Sequence, residues 1–444
     1  DEREITHHEE TNMTSWKKSP AAVLITLIVL HVMAQIDRNM LLGFSPQITK
    51  DLMITNGQYG FLVGAVWVLS FGIMAVFLGS LADRFSRPRV IAAGMLIWSV
   101  CTAASGHAHN FEQMALARFF VATGEAALVP TAVALLVELF SEQRRGTAIG
   151  TFFIGIPVGI GLSFLLAGSL GASLGWRSTY TVLGIVGAVI ALPLAFLREE
   201  RGQGREKNAT PQRGEPFVAQ MSAMLRVVGH NRALLLALVG FVLFHMVFAG
   251  FAFTQLWMVR ERGFNAASIA RTIGALQIVI GLLGCVMGGV LSDRLAKRFA
   301  GGHASFMVLL IALCAPFMIA YRFVPAGSPL FYVGMCAGFF LPLALYGPGN
   351  TLLQALVPAN MRATITGFTM LLLNVFALAG GSVAAGMASD YMVKRGSTHA
   401  LTIVLLATDI LTISSGLLFW LVARQVRLGR AVLELSGGPA VLAH

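Results

Sequence analysis

Long apolar blocks separated by short polar stretches run along almost the whole chain. Twelve blocks are long enough to cross a membrane as helices. Backbone groups in lipid must be paired within their own segment, and these blocks are too long for barrel strands, so each is predicted to be a helix. The predicted segments are 20–43, 58–81, 89–107, 112–138, 145–171, 176–197, 233–259, 267–291, 303–322, 329–355, 363–389 and 399–423.

Composition supports the same class. Of 444 residues, 56% are hydrophobic and only 12% are charged, and the mean hydropathy is +0.75. A soluble domain could not keep so much apolar surface from water, so we expect an all-α, multi-pass integral membrane protein. The net charge of +11 does not indicate nucleic acid, because Lys and Arg are concentrated in segments that are cytoplasmic if both termini are cytoplasmic. That bias fits the cell (inner) membrane.

Two sequence landmarks recur in the same order in both halves of the chain. GSLADRFSRPR at 79–89 follows segment 2, and GGVLSDRLAKR at 288–298 follows segment 8. Pro130 precedes Arg145, and Pro348 precedes Arg362, by similar distances. The repeat predicts two pseudo-symmetric six-helix bundles joined by a charged linker. The predicted divisions are an N-terminal tail 1–19, a first bundle 20–197, a linker 198–232, a second bundle 233–424 and a C-terminal tail 425–444.

The first landmark resembles the loop 2–3 signature of the major facilitator superfamily, although Ser86 stands where Gly is usual and Pro88 also departs from the pattern. The resemblance implies a twelve-helix transporter working by alternating access. Asp83 is suited to cap the amino end of a helix in the partner bundle. The expected conformational latch consists of Gly79, Asp83, Arg84 and Arg87, with Asp293 and Arg294 in the repeat.

A narrower resemblance is to the Spinster family. It rests on Asp37-Arg38, on Gly124-Glu125-Ala126, on Ile156-Pro157-Val158-Gly159 with Gly161-Leu162, and on ELFSEQRRG at 138–146, with LVPANMRAT at 356–364 in the second half. This resemblance implies transport of lysolipids or sphingoid phosphates. The anion:cation symporter family also carries an Asp-Arg pair on helix 1 and a Glu on helix 4, which implies uptake of organic or sugar acids with protons.

Charged residues within two predicted helices are the candidate functional residues. Charge buried in a membrane is costly, so it is expected to have a function. In segment 1, His31, Gln35 and Arg38 follow i, i+4, i+7 spacing and share a face, whereas Asp37 is turned about 100° from Arg38. Arg118 and Glu125 in segment 4 are seven residues apart and also share a face. The superfamily architecture implies that helices 1 and 4 line the cavity. Arg38 could reach Glu125, or Asp37 could pair with Arg118, and the sequence does not choose.

Asp37 and Glu125 are the predicted protonation sites, with Arg38 as their switchable partner. Desolvation favours a protonated acid, while a nearby arginine favours the charged form, so moving the arginine would bind or release a proton. The alternative is a static buried ion pair that only stabilises the bundle.

The second half offers aromatic and amide side chains instead of buried charge on its corresponding helices. The predicted substrate contacts combine both halves: Arg38, Arg118, Glu125, His31, Gln35, His245, Trp257, Tyr346 and Asn374. A histidine in the position of His245 is more often a satisfied core residue than a ligand. Asp409 on the twelfth segment is expected to have a packing or hydrogen-bonding role. His107 and His109 have no acidic or Cys partners nearby, so no metal site is predicted.

The favoured function is a proton-coupled secondary transporter of an amphiphilic anion such as a lysolipid, and the alternative is a proton symporter of small organic or sugar acids. No Walker A loop, HExxH or nucleophile-base pattern is present in the sequence, so no enzyme activity and no cofactor beyond the proton gradient is expected. The expected partners are the substrate, protons and membrane lipids, without nucleic acid, and the protein is expected to be a monomer.

Overall fold

The computed structural model describes residues 19–74, 86–196, 217–358 and 361–435, and within these ranges the chain forms helices and no strand. Among these described residues, twelve helices are long and apolar enough to cross a membrane, as predicted. They are α1 (Pro20–Gly43), α2 (Asn56–Met74), α3 (Arg87–Gly106), α4 (Phe111–Leu139), α5 (Glu142–Gly168), α6 (Leu170–Phe196), α7 (Arg232–Arg260), α8 (Ala266–Ala296), α9 (Gly302–Ala320), α10 (Pro329–Ala355), α11 (Arg362–Lys394) and α12 (Ala400–Leu435). Shorter helices cover Ser45–Asp51 and Phe217–His230.

Several helices begin at residues that satisfy free backbone N–H groups. Thr55 and Gln58 form a reciprocal capping box at the start of α2. The side chains of Asn110, Asn231 and Ser328 accept a backbone N–H three residues later at the starts of α4, α7 and α10. The apolar blocks therefore carry their own start signals.

Several of the described helices are irregular within their spans. α2 contains a π-helical turn at Phe61–Ala65, and α11 contains one at Leu373–Gly380. α4 is interrupted between Glu125 and Leu128, and α5 is interrupted at Ile154. Irregular backbone at membrane depth is tolerated where protein surrounds it, and π-turns are frequent at functional sites.

Gly175 marks a break near the start of α6. Its φ of 76° and ψ of 165° lie in a region that side-chain-bearing residues avoid. The sequence places the start of this helix at residue 176, so the break agrees with that boundary, while a helical stretch from Leu170 precedes it.

The chain divides into two compact units. The first comprises Asp1–Ile54, Val66–Gln212 and Ala266–Ala275, and the second comprises Thr55–Ala65, Arg213–Asn265 and Leu276–His444. This division differs from the repeat-based one at two places, because the first residues of α2 belong to the second unit and those of α8 belong to the first.

The first unit is packed around α3 and α4. Met95 and Trp98 are fully buried with Val121, Leu136 and Phe152. Glycine allows the two helices to cross closely, since a Cβ on Gly124 would lie 2.4 Å from the Gly94 carbonyl oxygen. This crossing lies one residue before Glu125 and so fixes the height of that carboxylate in the unit.

The second unit has its own core. Phe241 and Phe244 of α7 pack with Met307, Leu341 and Leu345. A Cβ on Gly288 of α8 would lie 2.2 Å from the Ala344 carbonyl oxygen of α10, so small residues again bring helices together.

Candidate functional site

Four buried or half-buried charged residues come together in the first unit. Asp37 is 2% exposed, and Arg118 and Glu125 are each 5% exposed. Arg118 donates hydrogen bonds of 3.0 Å from Nη1 to the Asp37 carbonyl oxygen and from Nη2 to the Arg38 carbonyl oxygen. The predicted meeting of α1 and α4 is therefore observed, but Arg118 binds the backbone of α1 and not the Asp37 carboxylate.

Asp37 lies in a pocket of polar groups that are not all hydrogen-bonded. Its Oδ2 has no hydrogen-bond partner among the described residues, and the same holds for Thr102 Oγ1 on α3 and the Tyr180 hydroxyl on α6. Thr102 faces the carboxylate, while Arg118 and Glu125 are close enough to act on it electrostatically. A buried carboxylate without a direct cation is suited to carry a proton.

Trp67 of α2 connects Arg38 and Glu125. The Arg38 Cζ lies 3.6 Å from the centroid of the Trp67 ring, a cation–π contact. The indole Nε1 donates a 2.8 Å hydrogen bond to Glu125 Oε2, while Oε1 is buried without a hydrogen-bond partner. Trp67 also stacks on Phe71, with ring centroids 4.4 Å apart. A lone aromatic residue inside an apolar block carries no sequence signal, so this residue was not predicted.

Neither of the two pairings left open by the sequence is a direct ion pair here. Across the described ranges, the ion pairs within 4.0 Å join Arg87 with Glu138 and Arg322 with Asp409. Arg38 and Glu125 both contact Trp67, and Arg118 donates hydrogen bonds to main-chain carbonyl oxygens of α1. The side-chain rotamers decide this arrangement, and helical spacing does not encode them.

His31 and Gln35 form a polar ladder along α1, as their spacing predicts. The His31 Nδ1–H donates to the Phe152 carbonyl oxygen at 3.1 Å, and its Nε2 accepts from Gln35 Nε2 at 3.3 Å. The His31 ring also stacks on Phe152 with centroids 4.4 Å apart. His31 is fully enclosed beside the break in α5, so it holds α1 against α5 in this structure.

In the second unit, His245 is buried among aromatic rings. Its Nδ1–H donates to the Phe241 carbonyl oxygen at 2.7 Å, whereas Nε2 has no hydrogen-bond partner among the described residues. The ring lies between 4.4 and 6.1 Å from the ring centroids of Phe241, Phe244, Phe248 and Tyr346. Tyr346 is itself 38% exposed, so it is the accessible member of this group.

Trp257 and Asn374 occupy different surroundings. Trp257 is fully buried, donates from Nε1 to Thr402 Oγ1 at 2.7 Å, and packs on Tyr321 and Phe331. Trp257 is therefore enclosed in this structure, and its contact with substrate stays a prediction. Asn374 is half-buried within the π-helical turn of α11.

The predicted latch is described only in part. Gly79, Asp83 and Arg84 lie outside the described residues. Arg87 at the start of α3 forms an ion pair with Glu138 at the end of α4. Asp293 and Arg294 are exposed near the end of α8. The latch remains a prediction.

Arg322 was not predicted, and it explains Asp409. The Arg322 Nε donates to Asp409 Oδ2 at 2.7 Å and Nη2 donates to Oδ1 at 3.3 Å, with both side chains buried. This is a direct, two-pronged ion pair, unlike the arrangement around Asp37 and Glu125.

Among the described residues, no group of three or more His, Cys, Asp or Glu side chains could hold a metal ion.

Comparison with known proteins shows what the chain resembles. The model of the Major Facilitator Superfamily matches residues 27–382. An MFS-type efflux pump of Mycolicibacterium smegmatis is 26% identical over 417 residues, covering 93% of this chain and 94% of that protein. Protein spinster of Drosophila melanogaster is 26% identical over 400 residues, covering 87% of this chain and 64% of the longer fly protein. A hexuronate transporter of Bacillus subtilis is 23% identical, and the match covers 82% of this chain and 87% of that protein.

Solved structures confirm the fold. A bacterial homologue of the human lysosomal transporter Spinster, in an inward-facing and unoccupied conformation, superimposes with a TM-score of 0.78. That structure is 22% identical, and the match covers 92% of this chain and 98% of the other.

Proposed function

The chain belongs to the Major Facilitator Superfamily, and we propose that it is a proton-coupled secondary transporter that works by alternating access and moves an amphiphilic anion such as a lysolipid. The twelve apolar helices of the described ranges, together with its family, make it a multi-pass integral membrane protein. We place it in the cell (inner) membrane with both termini cytoplasmic, on the distribution of Lys and Arg.

The observation that carries the proposal is the buried charge of the first unit. Ionisable residues inside a membrane are costly and are usually functional. Asp37 and Glu125 each keep one carboxylate oxygen without a hydrogen-bond partner among the described residues, and neither is held by a direct ion pair there. A static structural pair would resemble Arg322 with Asp409. The two acids are therefore the proposed proton carriers.

Arg38 supports an anionic substrate. It is half-buried and rests on the indole face of Trp67 with no carboxylate from another described residue against it. A guanidinium without a carboxylate partner can bind a phosphate or carboxylate headgroup through two parallel N–H groups.

The second unit supports an alkyl chain. The charged residues that the structure describes on α7 and α11 lie near the ends of those helices, and α10 has none. Tyr346 is 38% exposed and Phe376 is 56% exposed, so these aromatic side chains are available to apolar atoms. The similarity to protein spinster agrees with this substrate class, while the similarity to a hexuronate transporter favours the alternative of a small organic acid.

A chain-length series tests the substrate class. Binding of single-tailed alkyl phosphates, kept below their critical micelle concentrations, is measured with the protein in nanodiscs. Each added methylene that becomes buried contributes about 0.8 kcal/mol, so the affinity should rise about fourfold per methylene until the site is full. Arg38→Gln should weaken every member of the series by a similar factor and leave the slope unchanged.

One result of this series would overturn the proposed substrate class. If the affinity does not change with chain length while a short sugar acid binds and is transported, the amphiphile proposal is wrong and a proton symporter of small organic acids replaces it.

A further inference from the structure

Trp67 lies just after an irregular turn that determines where it points. The π-helical turn Phe61–Ala65 adds one residue to α2 ahead of Trp67. One extra residue rotates every later side chain by about 100° around the helix axis relative to an uninterrupted α-helix. The turn thus directs the indole toward α1 and α4, where Arg38 and Glu125 lie.

The indole makes a different contact with each charge. Its face carries the Arg38 guanidinium at 3.6 Å, and its edge donates to Glu125 Oε2 at 2.8 Å. Stacking on Phe71 fixes the ring plane. Arg38 and Glu125 are therefore held by one residue and do not form a direct ion pair with each other.

We propose that Trp67 is a positioning residue that keeps Arg38 and Glu125 apart, so that the arginine stays available to the anionic headgroup and the acid stays available to the proton. This inference rests on the proposed function. A buried, two-pronged ion pair such as Arg322 with Asp409 would satisfy both charges and leave neither for substrate or proton. The indole holds the charges in place without neutralising them.

The electrostatic surroundings of Glu125 comprise several groups. Arg38 and Asp37 face it from α1, Arg118 from its own helix, and Trp67 from α2. Loss of the indole N–H removes a donor that stabilises the charged carboxylate, and the other three groups remain. The proton is then bound at a higher pH.

The test compares Trp67→Phe with Trp98→Phe in proteoliposomes over a range of pH. Trp98 is the matched control, because it is a buried tryptophan of the same unit whose Nε1 has no hydrogen-bond partner among the described residues. Trp67→Phe should move the midpoint of the pH profile upward by about one pH unit, as expected for the loss of one charge-assisted hydrogen bond. Trp98→Phe should leave the midpoint unchanged.

Removing the aromatic face tests the second contact. In Trp67→Leu, Arg38 loses its cation–π contact and can pair with Glu125, so the KM for the alkyl phosphate should rise about tenfold, as expected for a loss of about 1.4 kcal/mol. Folding is checked by size-exclusion chromatography and thermal melting. If Trp67→Phe does not fold, site-specific incorporation of benzothienylalanine provides an isosteric tryptophan without the N–H and should produce the same upward shift.

The outcomes separate this inference from the proposed function. Wild-type transport that does not depend on pH would overturn the proton-coupled function itself. A pH-dependent wild type whose midpoint does not move in a folded Trp67→Phe or benzothienylalanine variant would overturn only the role of Trp67.

Discussion

The Asp390 carboxylate of α11 caps the start of α2 at Gly57, with Oδ2 accepting the Gly57 N–H at 2.7 Å. Its Oδ1 accepts the Asn56 N–H at 2.9 Å, and Arg260 of α7 donates to Asn56 Oδ1 at 2.9 Å. The first N–H groups of a helix have no intrahelical partner and carry partial positive charge, so a carboxylate there is favourable. This cap ties α2 to α11 within the second unit.

The first prediction concerns this cap. Loss of a side chain that accepts free N–H groups at a helix start costs about 1 kcal/mol, which is roughly a fivefold change in an equilibrium. If alternating access requires the start of α2 to leave α11, Asp390→Ala should increase the population in which the two have separated by about that factor. This population is measured by pulsed electron paramagnetic resonance between spin labels at Met53 and Lys394, in a protein whose four native cysteines are replaced. An unchanged distance distribution would remove the cap from the transport cycle.

The second prediction uses glycine packing at the same contact. A Cβ on Gly386 of α11 would lie 2.1 Å from the Asn56 carbonyl oxygen, closer than atoms can approach. Gly386→Ala should therefore force α2 from α11 and populate the separated distances more strongly than Asp390→Ala does. Gly367→Ala on the same helix is the control, because a Cβ there meets nothing within 4 Å. The same distance distribution in Gly386→Ala and Gly367→Ala would contradict the packing argument.

A related contact exists at the start of α8, which belongs to the first unit. Arg271 Nη1 donates to the Gly168 carbonyl oxygen at 2.7 Å, at the last residue of α5. A cation at a helix C-terminus is favourable for the same reason that an anion is favourable at an N-terminus. The repeat in the sequence is thus matched by two helix-end contacts of opposite charge. Neither Asp390 nor Arg271 stands out in the sequence, because both lie near helix ends, where charges are common.

The spans could be predicted from the sequence, but the contacts of the candidate site could be predicted only in part. Hydrophobic block length determines where helices run, and i, i+4 spacing correctly paired His31 with Gln35. The choice of Trp67 as the partner of Glu125 depends on a π-helical turn and on rotamers, neither of which periodicity encodes. Arg322 lies at the end of an apolar block, where a charged residue is usually interpreted as lying at the membrane interface. Its buried ion pair with Asp409 was therefore not predicted.

The third prediction tests the two proposed proton carriers. Asp37→Asn and Glu125→Gln remove the titratable group and keep the side-chain shape, so each should abolish or strongly reduce pH-driven transport while the protein stays folded. Glu112→Gln at the exposed start of α4 is the control and should transport normally. Internal pH of proteoliposomes, followed with a trapped fluorescent dye, reports proton movement. Full transport with an unchanged pH profile in both variants would reduce these acids to structural roles.

The fourth prediction separates the structural pair from the functional charges. Removing one partner of a buried ion pair leaves an uncompensated charge and typically costs 3–5 kcal/mol, whereas replacing both with apolar residues is often neutral. Asp409→Leu should therefore lower the melting temperature of the purified protein markedly, and adding Arg322→Met should recover most of the loss. Because Arg322 and Asp409 are bound to each other by two hydrogen bonds, the double variant should keep the wild-type pH profile of transport. A double variant that melts normally but no longer responds to pH would show that this pair, and not only Asp37 and Glu125, takes part in proton coupling.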